Sequence, residues 1–373
     1  MQLPSLLGHS AELVRIIRKS TQPADAIARE YLRSRKYIGA RDRRFINSHT
    51  FYTLRILALA EAYASDHAIE DITQAAYELD LTSNWVTTQP LYVQVNTQEW
   101  LLTHTQRTLS DATSVWQAMM QQAPVGIRVN LRRTSREAVL KQLVSEQIDA
   151  SPSPLTPACI TVNERVNLLQ HPLYLDGFFE IQDEGSQRIS LATNVQPGMR
   201  VLDACAGAGG KTMHIADLMN GQGAIVSRDI EWQRLKEIPK RATRAGITNI
   251  QTQKVSEGSL TRNLPFDVVL VDAPCSGMGT VRRSPMVKWR LTPKQLEKHA
   301  AKQLMILSDN ASEVRIGGTL VYATCSILAD ENEHVVESFL RGHPTFSLEE
   351  QQQLDPFHDG TDGLYWARCI RNA

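Results

Sequence analysis

Two short segments carry the cysteines best placed for nucleophilic chemistry. Residues 272–277 read DAPCSG and residues 324–326 read TCS, and each segment follows an apolar run that predicts a buried strand. Ligands of open α/β sheets bind beyond the carboxyl ends of the strands, which is where Cys275 and Cys325 are predicted to lie. A thiolate at such a place is a candidate nucleophile, and the alternative for each cysteine is a small buried residue.

A glycine-rich turn precedes both segments. Residues 201–212 read VLDACAGAGGKT, which predicts a strand, a flexible turn and the start of a helix. Backbone amides at a helix start favour a carboxylate or a phosphate. The Walker phosphate loop would need glycine at Cys205, and the dinucleotide pattern lacks its third glycine, so neither ATP nor a dinucleotide is indicated. A tight turn without a ligand is the alternative.

Asp229 ends the next predicted strand. An acidic residue there commonly binds ribose hydroxyls in nucleotide-binding sheets. A helix is predicted over 233–245, so Asp229 can also cap that helix, and the two roles are compatible. A glycine turn and a ribose-binding acid without a phosphate motif together fit S-adenosylmethionine, whose carboxylate and ribose need such contacts.

Strands and helices alternate from about residue 191, which predicts an α/β fold with a mostly parallel, Rossmann-like sheet. The predicted strands are 200–204, 224–228, 266–271, 319–323 and 364–370, and the predicted helices are 212–219, 233–245 and 293–314. Upstream, residues 125–131 alternate as a strand does, and 135–144 reads as a short helix capped by Ser135. We therefore predict a helical domain over 1–115, a small α/β module over 116–190 and a catalytic domain over 191–373.

The helical assignment of the first region depends on a stripe of large apolar residues. Its members are Phe45, Tyr52, Ile56, Leu59 and Tyr63, spaced as one face of a single helix. Such a stripe is typical of the core of a helical bundle.

Composition narrows the class of protein. The chain has 373 residues, 42% of them hydrophobic and 21% charged, as in ordinary soluble globular proteins. No apolar stretch approaches the ~20 residues of a membrane helix, and the start of the chain lacks a signal-peptide pattern. The 5 cysteines are widely spread, without C-x-x-C spacing, which favours reduced thiols and a cytoplasmic location and disfavours a zinc site. We expect a monomer that binds no metal.

The 40 basic residues equal the 40 acidic ones, so the net charge does not indicate nucleic-acid binding. The basic residues are nevertheless clustered, and one cluster directly follows the first cysteine segment. It comprises Arg282, Arg283, Lys288 and Arg290, with Trp289 among them. Arginines beside an aromatic ring suit a phosphate backbone with a base to stack, so we expect this cluster to bind RNA. A solvated face is the alternative.

With these segments in order, the chain resembles the Sun/RsmB-like RNA cytosine-5 methyltransferases from about Pro124 to its end. The matching segments are 182–187 (QDEGSQ), the glycine turn, 272–277, 282–290 and 324–326. Residues 39–45 (GARDRRF) are similar to part of the NusB-like helical domain that precedes the catalytic part in some members. The DAPCSG and TCS pair is the specific part of the resemblance.

The resemblance implies a class I methyltransferase fold, S-adenosylmethionine as cofactor and RNA as partner. It implies that Cys325 adds to carbon 6 of a cytosine and that Cys275 assists loss of the carbon 5 proton and release. Asp272 would bind the polar edge of the base, with Lys211 in the same site. The implied cofactor residues are Cys205, Ala206, Gly207, Ala208, Gly209, Gly210, Lys211, Asp229, Glu257 and Asp272.

The chain departs from the family pattern at four positions. Gly207 stands where alanine is usual, Ala208 where proline is usual and Met286 where an acidic residue is usual. The fourth departure follows the third strand, where the family usually has an aspartate that contacts the adenine amino group. Residues 254–258 read KVSEG there, and Glu257 is our choice for that acid.

Several functions stay open at this point. The resemblance favours ribosomal RNA as substrate, with transfer RNA second. A non-catalytic RNA-binding assembly factor on the same fold is one alternative, and a methyltransferase acting on protein or DNA is another. A chain with both cysteines resembles the RNA enzymes, since DNA cytosine methyltransferases use a Pro-Cys nucleophile.

Overall fold

The computed structural model describes residues 1–164, 166–255 and 265–373, and the chain divides into two compact units. The helical unit comprises Met1–Gln122, Thr280–Thr292 and Pro356–His358. The sheet unit comprises Ala123–Gly279, Pro293–Asp355 and Asp359–Ala373. The helices are α1 (Leu3–Lys19), α2 (Ala24–Ser34), α3 (Ala40–Arg55), α4 (Leu57–Tyr63), α5 (Ile69–Glu78), α6 (Asn84–Thr87), α7 (Leu91–Gln94), α8 (Glu99–Thr105), α9 (Ala112–Met119), α10 (Arg136–Ser145), α11 (Pro172–Leu175), α12 (Glu184–Ala192), α13 (Gly210–Leu218), α14 (Trp232–Leu235), α15 (Glu237–Ala245), α16 (Val287–Arg290), α17 (Pro293–Ala311) and α18 (Glu333–Gly342). The strands are β1 (Val125–Val129), β2 (Ala150–Pro152), β3 (Cys159–Val162), β4 (Phe179–Ile181), β5 (Arg200–Asp203), β6 (Ala224–Asp229), β7 (Ile250–Lys254), β8 (Phe266–Asp272), β9 (Val314–Thr324), β10 (Phe346–Leu354) and β11 (Leu364–Arg371).

The helical unit is built from α1–α9 and α16. Its helices continue through α9, so they extend past the predicted domain boundary at 115. The apolar stripe predicted as one helix face is divided between α3 and α4. Ile56 and Leu59 are fully buried, whereas Tyr63 is 44% exposed. None of the helices in the described residues is long and apolar enough to cross a membrane.

Side chains from a distant segment explain the break between α3 and α4. The Lys288 amino group donates to the Arg55 carbonyl at 2.9 Å, and the Trp289 indole donates to the Leu54 carbonyl at 3.1 Å. In a continuous helix the Leu59 amide would donate to Arg55, but here it donates to the Asn96 side chain at 3.1 Å. The helix therefore ends where its carbonyls bind the α16 segment.

Within the described residues, the large sheet of the sheet unit has seven strands in the order β10-β11-β9-β8-β5-β6-β7. Strands β9, β8, β5, β6 and β7 are parallel to one another. At one edge, β11 pairs antiparallel with β9, and β10 pairs antiparallel with β11. The strand order reverses beside β5, which has β6 on one side and β8 on the other. Open α/β sheets bind ligands at such a switch point. The predicted Rossmann-like α/β fold is confirmed.

Several elements of this unit differ from the prediction, strand β7 among them, because it was not predicted. The helix predicted over 233–245 is interrupted at Lys236, so α14 and α15 replace it. Pro239 lacks the amide that would donate to the Leu235 carbonyl, which accounts for the break. Strand β10 was not predicted, because its sequence is FSLEEQQQL and most of its residues are exposed and polar.

A second sheet forms the small module, with four antiparallel strands among the residues that the structure describes, in the order β2-β3-β1-β4. Its core includes Ile127, Leu143 and Phe179. The Ser135 hydroxyl accepts the Ala138 amide at 3.1 Å, so the predicted cap of α10 is confirmed. The module is joined to the large sheet by a buried ion pair between Arg128 and Asp217 of α13.

Candidate active site

The two predicted cysteines lie side by side. Strands β8 and β9 are parallel neighbours with Asp272 opposite Ala323, so the loops that follow them begin at the same level. The sulfurs of Cys275 and Cys325 are 3.2 Å apart. The Cys325 amide also donates to the Cys275 sulfur at 3.3 Å. Two thiols that are 50 residues apart in sequence therefore form one site.

The surroundings of the two thiols are not equivalent. The hydrogen bond with Cys325, burial and the nearby Cys325 charge together raise the pKa of Cys275 well above its ordinary value. Two thiols in contact do not both ionise readily, because the second negative charge is repelled by the first. The raised pKa therefore favours a protonated Cys275 thiol in contact with the Cys325 sulfur.

An ion pair lies beside the thiols. The Lys211 ammonium donates to an Asp272 oxygen at 2.6 Å, and their side chains are 13% and 29% exposed. Burial alone would lower the pKa of Lys211, but the charges of Asp272 and Cys325 and the hydrogen bond to Asp272 outweigh it and raise the pKa. Lys211 is thus a fixed cation that orients the Asp272 carboxylate.

The glycine turn has the geometry that its composition predicts. Gly209 has φ +84° and is the cap of α13. A Cβ at Gly209 would lie 2.6 Å from the Ile238 side chain, so both backbone and packing require glycine. Beneath the turn, the buried Asp203 carboxyl accepts the Thr212 hydroxyl at 2.6 Å. Burial raises the pKa of Asp203 to about 7.

Asp229 joins the glycine turn to the next helix. One of its oxygens accepts the Gly207 amide and the other accepts the Glu231 amide, both at 2.7 Å. Each carboxylate oxygen accepts more than one hydrogen bond, so Asp229 retains acceptor capacity for a ligand. Capping and ligand binding are therefore compatible at Asp229.

A cavity of about 460 Å³ opens at the switch point of the sheet. Its volume lies within the ~300–1,000 Å³ of small-molecule sites. Polar groups and apolar side chains both line it. The lining residues are Ala204, Cys205, Arg228, Asp229, Ile230, Glu231, Arg234, Val255, Asp272, Ala273, Pro274, Cys275, Lys302, Met305, Ile306, Asp309, Asn310, Glu313 and Cys325. Acidic groups, apolar side chains and two thiols in one lining suit a small molecule with polar and apolar parts beside a reactive centre.

The chain is similar over most of its length to curated bacterial proteins. It is 32% identical over 296 residues to the probable ribosomal RNA small subunit methyltransferase B of Coxiella burnetii, covering 73% of this chain and 67% of that protein. The chain belongs to the RsmB/F (Sun) methyltransferase family. The Bacillus subtilis protein of the same name is 35% identical over 259 residues, which make up 64% of this chain and 58% of that protein. The chain therefore spans less than two thirds of the length of that relative.

Family models and solved structures agree with this membership. The model for 16S rRNA methyltransferase RsmB/F matches residues 190–368, and the RsmF/B-like ferredoxin-like domain matches residues 97–169. The crystal structure of PH0851 has a TM-score of 0.82 and 21% identity, and covers 99% of both chains. That of NSun6 from Pyrococcus horikoshii with SFG has a TM-score of 0.68 and 19% identity, and covers 74% of this chain and 98% of that one. At these identities the likeness is one of fold.

The predicted cofactor residues of this RsmB/F family member divide into three groups. Cys205, Asp229 and Asp272 line the cavity. The glycine turn from Ala206 to Lys211 connects β5 to α13 beside it, and the Ala208 carbonyl accepts the Arg241 guanidinium at 2.6 Å. Glu257 lies outside the described residues.

Most side chains of the predicted RNA-binding cluster are buried or partly buried in the helical unit. Lys288 is only 1% exposed and Arg282 7%, and Trp289 packs in the core of the helical unit. Arg290 donates to the carbonyls of Ile17 and Gln22, at 2.9 and 3.1 Å. The expectation of RNA contact is therefore corrected for the buried Arg282 and Lys288. Trp289 and Arg290 are partly buried, and their polar groups bind backbone carbonyls of the helical unit. Arg283 is exposed and stays a candidate for RNA contact.

The same packing explains a departure from the family pattern. Met286 stands where an acidic residue is usual, and it is 5% exposed in the core that also contains Ile17 and Leu54. A carboxylate there would be buried among apolar side chains, which is unfavourable.

Sequence reasoning missed three features of the site. Met305 and Ile306 of α17 form an apolar wall of the cavity. Arg228 and Glu313 form a buried ion pair at 3.0 Å in the same lining. The third is Glu331, a buried carboxylate behind the cysteine loops. The helix over 293–314 was predicted, but the spacing of its apolar residues does not indicate which side of the helix faces a ligand, so Met305 and Ile306 were missed.

Proposed function

We propose that this protein transfers a methyl group from S-adenosylmethionine to carbon 5 of a cytosine in RNA, with ribosomal RNA as its substrate. The observation that carries the proposal is the pair of thiols, 3.2 Å apart, at the carboxyl ends of adjacent parallel strands. Both thiols line the same cavity as Asp229 and Asp272. Two reactive groups beside a nucleoside-sized cavity suit a reaction that needs a nucleophile and a second acid–base group.

The chemistry of cytosine explains why a nucleophile is needed. Carbon 5 is a poor nucleophile, but bonding of a sulfur to carbon 6 moves the electrons of the carbon 5–carbon 6 double bond toward carbon 5. Once carbon 5 carries the methyl group, its proton must leave. The electrons of that carbon–hydrogen bond then restore the double bond, and the electron pair of the sulfur–carbon 6 bond returns to the sulfur.

Cys325 is our nucleophile and Cys275 our acid–base group. Before reaction, the hydrogen bond and charge of Cys325 help to raise the pKa of Cys275, so Cys275 stays protonated and stabilises the Cys325 thiolate. After Cys325 has bonded to carbon 6, its hydrogen bond and charge no longer act on Cys275, although burial and the Glu331 charge still do. The Cys275 thiol then passes its proton to solvent water, and the resulting thiolate accepts the proton of carbon 5.

Asp272 and Lys211 form the polar part of the site. Asp272 would accept a hydrogen bond from the amino group of cytosine, and the Lys211 cation beside it would stabilise the negative charge that the ring gains as the sulfur adds. The ion pair with Lys211 holds that carboxylate in place before the base arrives. Removing either residue should therefore lower the rate more than it weakens cofactor binding.

The cavity would hold S-adenosylmethionine through Asp229 at the ribose and the glycine turn at the carboxylate, with Ile230 and Ile306 against the purine. When bound, the cofactor supplies an electrophilic methyl group. Membership of a methyltransferase family supports this choice. A target base in folded RNA must be unpaired or flipped out to reach Cys325.

Ribosomal RNA is proposed because the similar curated proteins are named ribosomal RNA small subunit methyltransferase B. A transfer-RNA substrate would leave the chemistry of the thiols unchanged and is an outcome of the test below. A non-catalytic assembly factor has no need for two thiols in contact beside a cavity, so the geometry favours an enzyme.

Trapping of the covalent adduct tests the proposal. The Cys275→Ala variant, expressed in the cells from which the protein comes, should still attack RNA through Cys325 but release it slowly. We expect a nuclease-sensitive band of reduced mobility on a denaturing gel, and sequencing of its RNA identifies the target. The band should vanish in the Cys275→Ala/Cys325→Ala variant.

The Cys369→Ala variant is the matched control, because Cys369 is a buried cysteine in β11. It should give no trapped band. A Cys275→Ala variant that is folded and yields no adduct would contradict the two-thiol mechanism. Adducts on transfer RNA alone would keep the chemistry and replace the substrate.

A further inference from the structure

Glu331 is a carboxylate buried behind the two cysteine loops. It ends a short 3-10 turn, Ala329–Glu331, and is 0% exposed. Its two oxygens accept hydrogen bonds from three side chains and one amide. The donors are the Ser276 amide at 2.8 Å, the Ser276 hydroxyl at 2.5 Å, the Ser326 hydroxyl at 2.6 Å and the Gln303 amide group at 2.9 Å.

These donors connect the carboxylate to both thiols. Ser276 directly follows Cys275, and Ser326 directly follows Cys325. One carboxylate oxygen accepts both serine hydroxyls, so a single atom joins two loops that are 50 residues apart in sequence. The loops meet at the sulfurs on one side and at Glu331 on the other.

Glu331 is itself held from two directions. The buried Tyr322 hydroxyl of β9 donates to the Glu331 carbonyl at 2.5 Å. Gln303 of α17 donates to the Glu331 carboxylate and also to the Pro274 carbonyl at 3.2 Å. Glu331 therefore cannot move with either cysteine loop alone without stretching its hydrogen bonds to Tyr322 of β9 and Gln303 of α17.

The serine hydroxyls also order their own loops. The Ser276 oxygen accepts the Met278 amide at 3.2 Å, and the Ser326 oxygen accepts the Leu328 amide at 3.1 Å. A hydroxyl that donates to Glu331 while it accepts from its own loop fixes the direction of the backbone. The cysteine preceding each serine is thereby aimed at the other cysteine.

We propose that Glu331 is a positioning residue that holds the Ser276 and Ser326 loops together and so sets the distance between the Cys275 and Cys325 sulfurs. Its catalytic meaning rests on the proposed function. The distance itself is a property of the protein without RNA or cofactor. A test that reads the distance is thus separate from a test of methyl transfer.

Oxidation by diamide, an azo reagent, measures how often the sulfurs meet. The two thiols lose two protons and two electrons and form a disulfide, and the nitrogen–nitrogen double bond of diamide takes them up as two N–H bonds. We expect the wild-type protein to form the Cys275–Cys325 disulfide, identified by mass spectrometry of the linked peptides. In Glu331→Ala the rate should fall by about tenfold or more, because the effective concentration of one thiol near the other falls.

Three further variants complete the set. Ser276→Ala and Ser326→Ala each remove one hydroxyl bond to the carboxylate and should slow disulfide formation to a smaller degree. They also carry the test if Glu331→Ala fails to fold. Ser190→Ala is the matched control, a buried helix serine whose hydroxyl bonds the Ser186 carbonyl, and its oxidation rate should equal that of the wild type.

The outcomes separate the two proposals. Unchanged disulfide rates in folded Glu331→Ala, Ser276→Ala and Ser326→Ala would overturn the positioning role even if methyl transfer occurs. Slower oxidation in a protein that methylates no RNA would keep the positioning role and overturn the proposed function. If both hold, Glu331→Ala should lower kcat and leave the KM for S-adenosylmethionine unchanged.

Discussion

Replacing Lys288 with methionine should make the helical unit less sensitive to pH. The Lys288 side chain is 1% exposed, and its amino group donates to the Arg55 carbonyl. Burial, followed by the charge of Arg55, lowers the pKa of Lys288 well below its ordinary value. Protonated Lys288 is therefore disfavoured in the folded protein, and methionine keeps most of its length without the charge.

The sign of the effect follows from proton binding. The unfolded chain holds this proton up to a pKa of about 10.4. Between the folded and unfolded pKa values, the unfolded chain binds one more proton than the folded protein. The free energy of unfolding should thus rise with pH in that window by about 1.4 kcal/mol per pH unit. In the Lys288→Met variant this contribution should be absent.

The variant also loses the hydrogen bond to Arg55. Leaving a buried polar group without its partner costs about 1–3 kcal/mol, and this loss does not depend on pH. The free energy of unfolding of Lys288→Met, taken relative to that of the wild type, should therefore be higher at low pH than at high pH.

Urea unfolding at pH 6, 7, 8 and 9 measures these slopes, with hydrogen-exchange labelling of α3 and α4 to assign the transition to the helical unit. Lys36→Met is the control, because Lys36 is an exposed lysine of the same unit. Equal pH slopes for the wild type and both variants would refute the reasoning. A Lys288→Met protein that keeps the wild-type slope but loses RNA affinity would instead restore the RNA-binding interpretation.

Two other predictions concern charged pairs of the sheet unit. Lys211→Met should lower the single-turnover rate of methyl transfer by about 10²–10³-fold, because the Asp272 carboxylate loses the cation that orients it; an unchanged rate would remove Lys211 from the reaction. Because Lys211 is also a predicted cofactor residue, calorimetry should separate any loss of cofactor affinity from the loss of rate. Arg128→Met should destabilise the fold by about 3–5 kcal/mol, because the buried Asp217 carboxylate loses its hydrogen-bonded partner and keeps only the more distant Arg132, 3.7 Å away. The Arg128→Met/Asp217→Leu variant should regain part of this stability in thermal unfolding, and no recovery would contradict the charge argument.

The sequence was most informative where structure is determined locally. The apolar runs before Cys275 and Cys325 predicted strand ends, because a buried parallel strand is a continuous apolar segment. The glycine turn was predictable because Gly209 needs a left-handed backbone that few other residues adopt. Strand β10 escaped prediction because an exposed edge strand of polar residues has no such pattern.

The sequence was least informative about which charged residues are buried. Lys288 and Arg290 read as a basic surface cluster, but their partners are carbonyls of Arg55 and Ile17, 233 and 273 residues away. The continuous stripe across Ile56 read as one helix, but a distant segment takes the carbonyls that would continue it. A pattern of neighbouring residues cannot predict contacts between residues that lie so far apart in the sequence.

By itself the sequence determined the class of fold, the two cysteines and the chemistry they suit, since strand ends, glycine turns and reactive side chains are local properties. Only the tertiary structure decided that the sulfurs lie 3.2 Å apart and that Glu331 joins their loops. It also decided that part of the basic cluster faces inward. Distances between remote segments depend on how the strands pair and the helices pack, and packing depends on the whole chain at once.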